Sequence, residues 1–177
     1  MVFEGPFRHA IHTMKYGRNA SIAETLAVHL ALYARELGCQ VDLAVPVPLG
    51  KQRTNERGYN QVGLLARPLA GIPDWRYSPQ ALVRTREIRS QVGFFPLEHK
   101  KNISGAFRAG PTLAAGKDML LVDDIVTTGA TLAPCSDALV KAGERNIYAL
   151  TPARHYCTTN LKLFDKIQTL QGANYDS

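Results

Sequence analysis

Residues 120–131 read Leu-Leu-Val-Asp-Asp-Ile-Val-Thr-Thr-Gly-Ala-Thr: an apolar run, two adjacent carboxylates, then a hydroxyl-rich loop around one glycine. Each part asks for a different partner. Gly129 lets the backbone approach an anion closely, and the N–H groups of a helix starting here point toward it. Thr127, Thr128 and Thr131 add hydroxyl donors, so the loop Val126, Thr127, Thr128, Gly129, Ala130, Thr131 is a candidate phosphate cradle. Charge-assisted hydrogen bonds contribute on the order of 1.5–3 kcal/mol each, and several together hold a phosphate. Asp123 and Asp124 repel that same anion, and paired carboxylates at a strand end are costly to desolvate unless hydroxyls, a cation or water satisfy them. A ribose 5-phosphate meets both demands, with its phosphate on the loop and its 2′ and 3′ hydroxyls on the two aspartates. Any one of these residues alone reads as an ordinary strand end or helix cap; the whole run in this order carries the inference.

The elements that must position this run are legible around it. The apolar stretch 119–122 reads as a strand, and residues 131–142 read as a helix with Leu132, Cys135, Leu139 and Ala142 on one stripe, closed by Gly143. A further strand over 147–151 completes a strand, helix, strand unit of the kind that builds a parallel sheet. Upstream, Ser21 and Glu24 form a capping-box pattern, and Ile22, Leu26, Leu30, Tyr33 and Leu37 recur at helical spacing up to Gly38, which predicts a helix over 22–37. Residues 41–48 predict a strand running into a loop at Pro46 and Pro48. Residues 60–70 predict a helix whose last turn Pro68 shortens or kinks. From 72 to 111 the periodicity is weak, which predicts a short strand near 81–84 followed by long loops of the kind that serve as lids.

Composition narrows the class. At 177 residues and 45% hydrophobic, the chain can bury a full core as one domain without disulfides. Cys39, Cys135 and Cys157 are far apart and form no C-x-x-C pair, which predicts reduced thiols. The first residues lack the basic, apolar and small-residue pattern of a secretory leader, so none is expected, and the longest mostly apolar stretch, 26–37, carries His29, Arg35 and Glu36. A cytoplasmic protein without a membrane span is expected. His9 and His12 have no cysteine or carboxylate at ligand spacing and read as surface or packing residues. Residues 105–112 carry the glycine spacing of a Walker A loop but place Pro111 where lysine is required. No G-x-G-x-x-G follows a strand and no G-x-S-x-G elbow is present, so dinucleotide redox and serine-hydrolase chemistries lack support.

The net charge of +6 is unevenly spread. Between positions 51 and 108 eleven Lys and Arg residues face four Asp and Glu, a segment charge of +7. That imbalance implies an anionic partner, either a phosphorylated small molecule or nucleic acid. Arg57, just before Gly58, suits phosphate oxygens because a planar guanidinium binds them in a fork.

Over roughly residues 5–154 the sequence resembles the ComF family of competence-associated proteins, which are similar to type I phosphoribosyltransferases. The matching pieces are Ile11-His12-Thr13-Met14-Lys15-Tyr16, Val45-Pro46-Val47-Pro48, Arg53 with Glu56-Arg57-Gly58-Tyr59-Asn60-Gln61, Arg84 with Arg86, Gln91, Asn102 with Ala106-Phe107, the Asp123-Asp124 loop, and Ala153-Arg154. The resemblance implies an α/β fold of the type I phosphoribosyltransferase kind: a mostly parallel sheet flanked by helices, with a flexible hood over residues 84–107. It implies one such domain over 1–154 and a tail of unknown role over 155–177.

By the same resemblance the ligand is 5-phosphoribosyl-1-pyrophosphate. Asp123 and Asp124 hold ribose hydroxyls, residues 127–131 hold the 5-phosphate, and the loop of Pro48, Leu49 and Lys51 with Arg53 and Arg57 holds the pyrophosphate. A magnesium ion bridges pyrophosphate and ribose oxygens near Asp123 and Asp124. Catalysis is assigned to Asp123, Asp124 and Arg57. Three departures from the family pattern stand out. Relatives commonly begin with a four-cysteine zinc module, and no cysteine precedes Cys39 here. Purine-salvage relatives carry an aspartate, proposed as general base, where this chain has Thr127. Residues after Arg154 match nothing in the pattern.

Two functions follow. One is transfer of a phosphoribosyl group with loss of pyrophosphate, in DNA uptake or nucleotide salvage. The other is a non-catalytic module that senses the ligand or binds single-stranded DNA, alongside competence or DNA-processing proteins.

Overall fold

The computed structural model describes residues 11, 13, 20–86, 105–110, 115–126, 129–154 and 168–169. Most of the expected hood, residues 87–104, lies outside the described residues, as do Thr127 and Thr128.

Helix α1, Ala20–Glu36, begins ahead of the expected position. Ser21 therefore stands inside the first turn instead of capping it, and its carbonyl accepts from the Thr25 hydroxyl. The face that α1 buries is built largely of alanines: Ala23, Ala27, Ala31 and Ala34 are fully buried, together with Leu26 and Leu30. Strand β1, Leu43–Pro46, follows, every residue buried. The chain then forms a short helix α2, Lys51–Arg57, where the sequence predicted a loop. Gly58, at φ 74°, ends it in the left-handed region that glycine adopts without strain. Helix α3, Gln61–Gly71, starts on Asn60, whose side chain accepts from the Val62 N–H. Pro68 withholds one hydrogen bond without ending the helix, which continues to Gly71.

Strands β2, Arg76–Tyr77, and β3, Leu82–Arg84, lead to β4, Phe107–Ala109, which pairs antiparallel with β3 so that Leu82 faces Ala109. The ends of the hood segment are thus tied together as a two-stranded base. Strand β5, Asp118–Val122, is buried throughout. It is followed by β6, Ile125–Val126; α4, Leu132–Lys141; β7, Asn146–Leu150; β8, Ala153–Arg154; and β9, Gln168–Thr169.

Among the described residues the main sheet has five strands in the order β2-β1-β5-β7-β9, and all four pairings are parallel. A parallel sheet must be covered on both faces, which explains why its strands read as continuous apolar runs. One face, through Val45, Met119 and Leu121, packs on Leu132, Cys135 and Leu139 of α4 and on the β3–β4 pair. The other, through Ala44, Leu120 and Val122, packs on α1 and α3. This is the layered α/β architecture of type I phosphoribosyltransferases. The pairing of β9 with β7 brings residues 168–169, within the expected tail, onto the sheet edge.

Candidate ligand site at the carboxyl ends of the central strands

In a parallel sheet all strands end along one edge, and the loops that leave there gather into one surface. β1 and β5 are neighbours with Pro46 beside Val122, and the Val47 N–H donates to the Val122 carbonyl at 2.9 Å. The basic segment after Pro48 and the acidic pair after Val122 therefore leave the sheet side by side, although 75 positions separate Pro48 from Asp123 in the chain.

The acidic pair closes the β5 ladder. The Asp123 N–H donates to the Leu150 carbonyl at 3.1 Å, and its Oδ1 accepts from the Asp124 N–H at 2.9 Å. Asp123 is 9% and Asp124 7% exposed, so both carboxylates sit at the bottom of the surface and not out in solvent. From the other side of the sheet edge, Gln61 Nε2 donates to Asp124 Oδ2 at 3.1 Å.

Gly129 adopts φ 73°, the left-handed conformation that a turn into α4 requires. Its carbonyl accepts from the Ala133 N–H at 3.0 Å. Thr131 occupies the N-cap position of α4 yet makes no side-chain cap hydrogen bond. Ala130 and Thr131 are exposed and Gly129 is buried. Val126, expected in the phosphate segment, puts its side chain into the core beside Leu121 and Leu132.

On the β1 side, α2 buries none of its residues and carries Lys51 and Arg53 exposed and Arg57 partly buried. Pro48 and Leu49 are partly buried at its approach. The Thr54 hydroxyl donates to the Gly50 carbonyl at 3.0 Å, fastening the first turn. Asn60 then closes the excursion: its Nδ2 donates to the Val47 carbonyl at 3.0 Å while its Oδ1 caps α3. Apart from Val126, the expected site residues within the described part of the chain thus flank one edge of the sheet, cations on the β1 side and carboxylates on the β5 side.

At the hood base, the Arg84 guanidinium lies 6.0 Å from the centre of the Phe107 ring. Its Nε donates to the Arg86 carbonyl at 3.2 Å. Behind the acidic pair, burial pushes the Cys135 thiol well up, the Asp123 charge adds to that, and Arg84 opposes it. A protonated, fully buried thiol is a packing group and not a nucleophile. Among the described residues Cys39 and Cys135 are free, and no three His, Cys, Asp or Glu side chains cluster as a metal cage. No described helix is long and apolar enough to cross a membrane.

The residue that sequence reasoning left without a role is Gln61. A signal was present: Gln61, Leu65 and Leu69 recur every fourth residue, so one amide stands on an otherwise apolar stripe.

No protein-family model matches the chain. DNA utilization protein YhgH of Escherichia coli strain K12 is 35% identical over 143 residues, 78% of this chain and 63% of that protein. Competence protein F of Haemophilus influenzae is 31% identical over 160 residues, 84% of this chain and 68% of that protein. The chain thus spans 63% and 68% of the length of these two relatives. Among solved structures, the Bacillus subtilis glutamine phosphoribosylpyrophosphate amidotransferase superposes with TM-score 0.52 at 15% identity, over 80% of this chain and 30% of that one. An adenine phosphoribosyltransferase gives 0.50 at 16% identity, over 87% and 82%. A Neisseria gonorrhoeae protein with bound ppGpp gives 0.53 at 13% identity, over 85% and 78%. At such identities the likeness is one of fold.

Proposed function

The chain belongs to the ComF family of competence-associated proteins, and from that premise we propose that it binds 5-phosphoribosyl-1-pyrophosphate at the shared edge of β1 and β5 and transfers the phosphoribosyl group to an acceptor. The observation that carries this is the β1–β5 register. It sets a basic helix and a buried pair of carboxylates at adjacent strand ends, with the start of α4 on the acidic side. A phosphoribosyl pyrophosphate needs those groups in that order: cations for the pyrophosphate, carboxylate acceptors for the ribose diol, and backbone and hydroxyl donors for the 5-phosphate.

In the transfer, the bond from ribose C1 to the pyrophosphate oxygen breaks and its electron pair leaves with pyrophosphate. The acceptor supplies the pair for the new bond at C1 and gives its proton to solvent. Lys51, Arg53 and Arg57 stabilise the charge on the leaving group, and Asp123 and Asp124 orient the sugar so that C1 faces the acceptor. Such catalysis is electrostatic more than a matter of proton transfer. Magnesium takes one or two protein carboxylates when phosphates complete its shell, and Asp123 and Asp124 are the residues that would hold it here. When bound, it would neutralise pyrophosphate charge.

The names of the relatives support a role in DNA utilization or competence. They also support a second reading, in which the same site senses the ligand and the +7 segment binds single-stranded DNA without turnover. Calorimetric titration with phosphoribosyl pyrophosphate, with and without magnesium, followed by a pyrophosphate-release assay against candidate bases, separates the two. Binding with release supports transfer; binding without release supports the sensor. The Asp123→Asn, Asp124→Asn double variant is expected to lose at least about tenfold in affinity with its melting behaviour intact. Wild-type affinity in that variant would refute the ribose assignment.

A further inference from the structure

We propose that Gln61 is a positioning residue for this site, holding the Asp124 carboxylate in the orientation from which it accepts a sugar hydroxyl. The inference rests on the ribose reading of the acidic pair.

Gln61 opens α3 and is 5% exposed, on a stripe whose next members, Leu65 and Leu69, are fully buried. Burying an amide there is costly, and the cost is not fully met: Nε2 donates to Asp124 Oδ2 at 3.1 Å, but Oε1 is buried without a hydrogen-bond partner among the described residues. A leucine or methionine would pack on that stripe without the penalty, so a stability argument alone does not account for glutamine. The amide orientation is also fixed, because a carboxylate only accepts and Nε2 must face it.

The backbone of Gln61 is itself held from the opposite strand. Asn60 Oδ1 accepts from the Val62 N–H at 3.1 Å, and Asn60 Nδ2 reaches the Val47 carbonyl at 3.0 Å. One dipeptide, Asn60-Gln61, therefore links the exit of β1, where the basic helix departs, to the carboxylate at the exit of β5. The bond crosses 63 positions of sequence and fixes the sugar acceptor relative to the cationic segment. Holding an acceptor in place before the ligand arrives reduces what binding must spend on ordering it.

The test uses ribose 5-phosphate and inorganic pyrophosphate as separate calorimetric probes of the full chain. Gln61→Met keeps length and packing but removes the donor; Gln61→Asn keeps the amide but shortens its reach. Both variants are expected to bind ribose 5-phosphate roughly tenfold more weakly and pyrophosphate within about twofold of wild type. In an Asp124→Asn background, Gln61→Met is expected to add no further loss, since the two residues act as one unit. Equal losses for both probes, or losses that add in the double variant, would mean that Gln61 supports only the fold and would overturn the proposal. A wild-type protein that binds pyrophosphate but not ribose 5-phosphate would sink the ribose reading itself. That failure shows before any substitution is made, and the positioning role falls with it.

Discussion

Arg145 and Asp118 form a two-point ion pair at the end of β5 opposite the acidic pair: Nε donates to Oδ1 at 2.8 Å and Nη2 donates to Oδ2. Asn146 Nδ2 adds a third donor at 2.9 Å, and the Asp118 N–H donates to Asp42 at 2.9 Å. The aspartate at the amino end of the strand is saturated by protein donors, whereas Asp123 and Asp124 stand where the loops converge. The same residue type thus serves structure at the amino end of β5 and, on the proposed function, a ligand at the carboxyl end.

The hydrogen bond from Arg145 holds the Asp118 carboxyl below its ordinary value of 3.8, with Asn146 assisting against the effect of burial. A carboxyl whose folded value is lowered contributes stability above its unfolded value, and that contribution disappears as pH falls through the folded value. Asp118→Asn is therefore expected to lower the melting midpoint at pH 7 by roughly 3–8 °C. The gap to wild type should close in strong acid, where the wild-type carboxyl is itself protonated. Melts at a series of pH values between neutral and strong acid check this; a gap independent of pH would assign the effect to packing.

Glu144 has the opposite sign. Burial raises its carboxyl above the ordinary 4.5, with the Lys117 N–H and charge opposing and Asp42 adding to the rise. Its Oε2 accepts from the Lys117 N–H at 2.9 Å while Oε1 is buried without a partner among the described residues. A raised carboxyl contributes stability below its unfolded value and loses it as pH rises through the folded one. Glu144→Gln keeps an acceptor for Lys117 and carries no charge, so its midpoint should match wild type below pH 4.5 and exceed it at pH 7. A variant less stable than wild type at pH 7 would show that the ionised form is the one the fold favours.

The strand, loop and helix around Asp123 and Asp124 were legible because each obeys a local rule: an apolar run, a left-handed glycine, a stripe at helical spacing. The helical character of α2 was not, because its residues are polar on every side and bury nothing, leaving no periodicity to read. The stripe of α1 was only half read. Leu37, expected on the buried face, is 48% exposed, while the alanines that touch the sheet carry too little hydrophobic signal to stand out. What the sequence could not convey at all was adjacency: the Gln61–Asp124 bond depends on β1 and β5 being neighbours, which is a property of strand order.

Thr131 sits at the N-cap of α4 but its hydroxyl does not cap the helix. Thr131→Val is accordingly expected to weaken ribose 5-phosphate binding by about three- to tenfold while leaving the melting midpoint within roughly 2 °C of wild type. Paired calorimetry and thermal melts measure both. A large drop in midpoint with unchanged affinity would return the residue to a structural role.

Single-stranded DNA binders combine a basic groove with aromatic platforms on which bases stack. Between positions 51 and 108 the aromatic residues are Tyr59, Trp75, Tyr77, Phe94, Phe95 and Phe107. Phe107 is 6% exposed and has Arg84 over its ring, and Trp75 and Tyr77 pack against the core beside α3. Tyr59 is partly buried next to the basic helix. Stacking therefore contributes little from the described part of this segment, and affinity for DNA must come from charge. Binding is expected to be weak and strongly salt-dependent, the logarithm of affinity falling with that of salt by about 0.7 per phosphate neutralised. It should require several of Arg84, Arg86, Arg89, Lys100 and Lys101. Because the cations beside Pro48 would serve the pyrophosphate and the DNA backbone alike, saturating phosphoribosyl pyrophosphate should displace the strand. Fluorescence anisotropy of labelled single-stranded DNA over a salt series, repeated with the small ligand, tests this. Tight binding that ignores both salt and ligand would place DNA on a separate surface, and the shared-edge account would have to be abandoned.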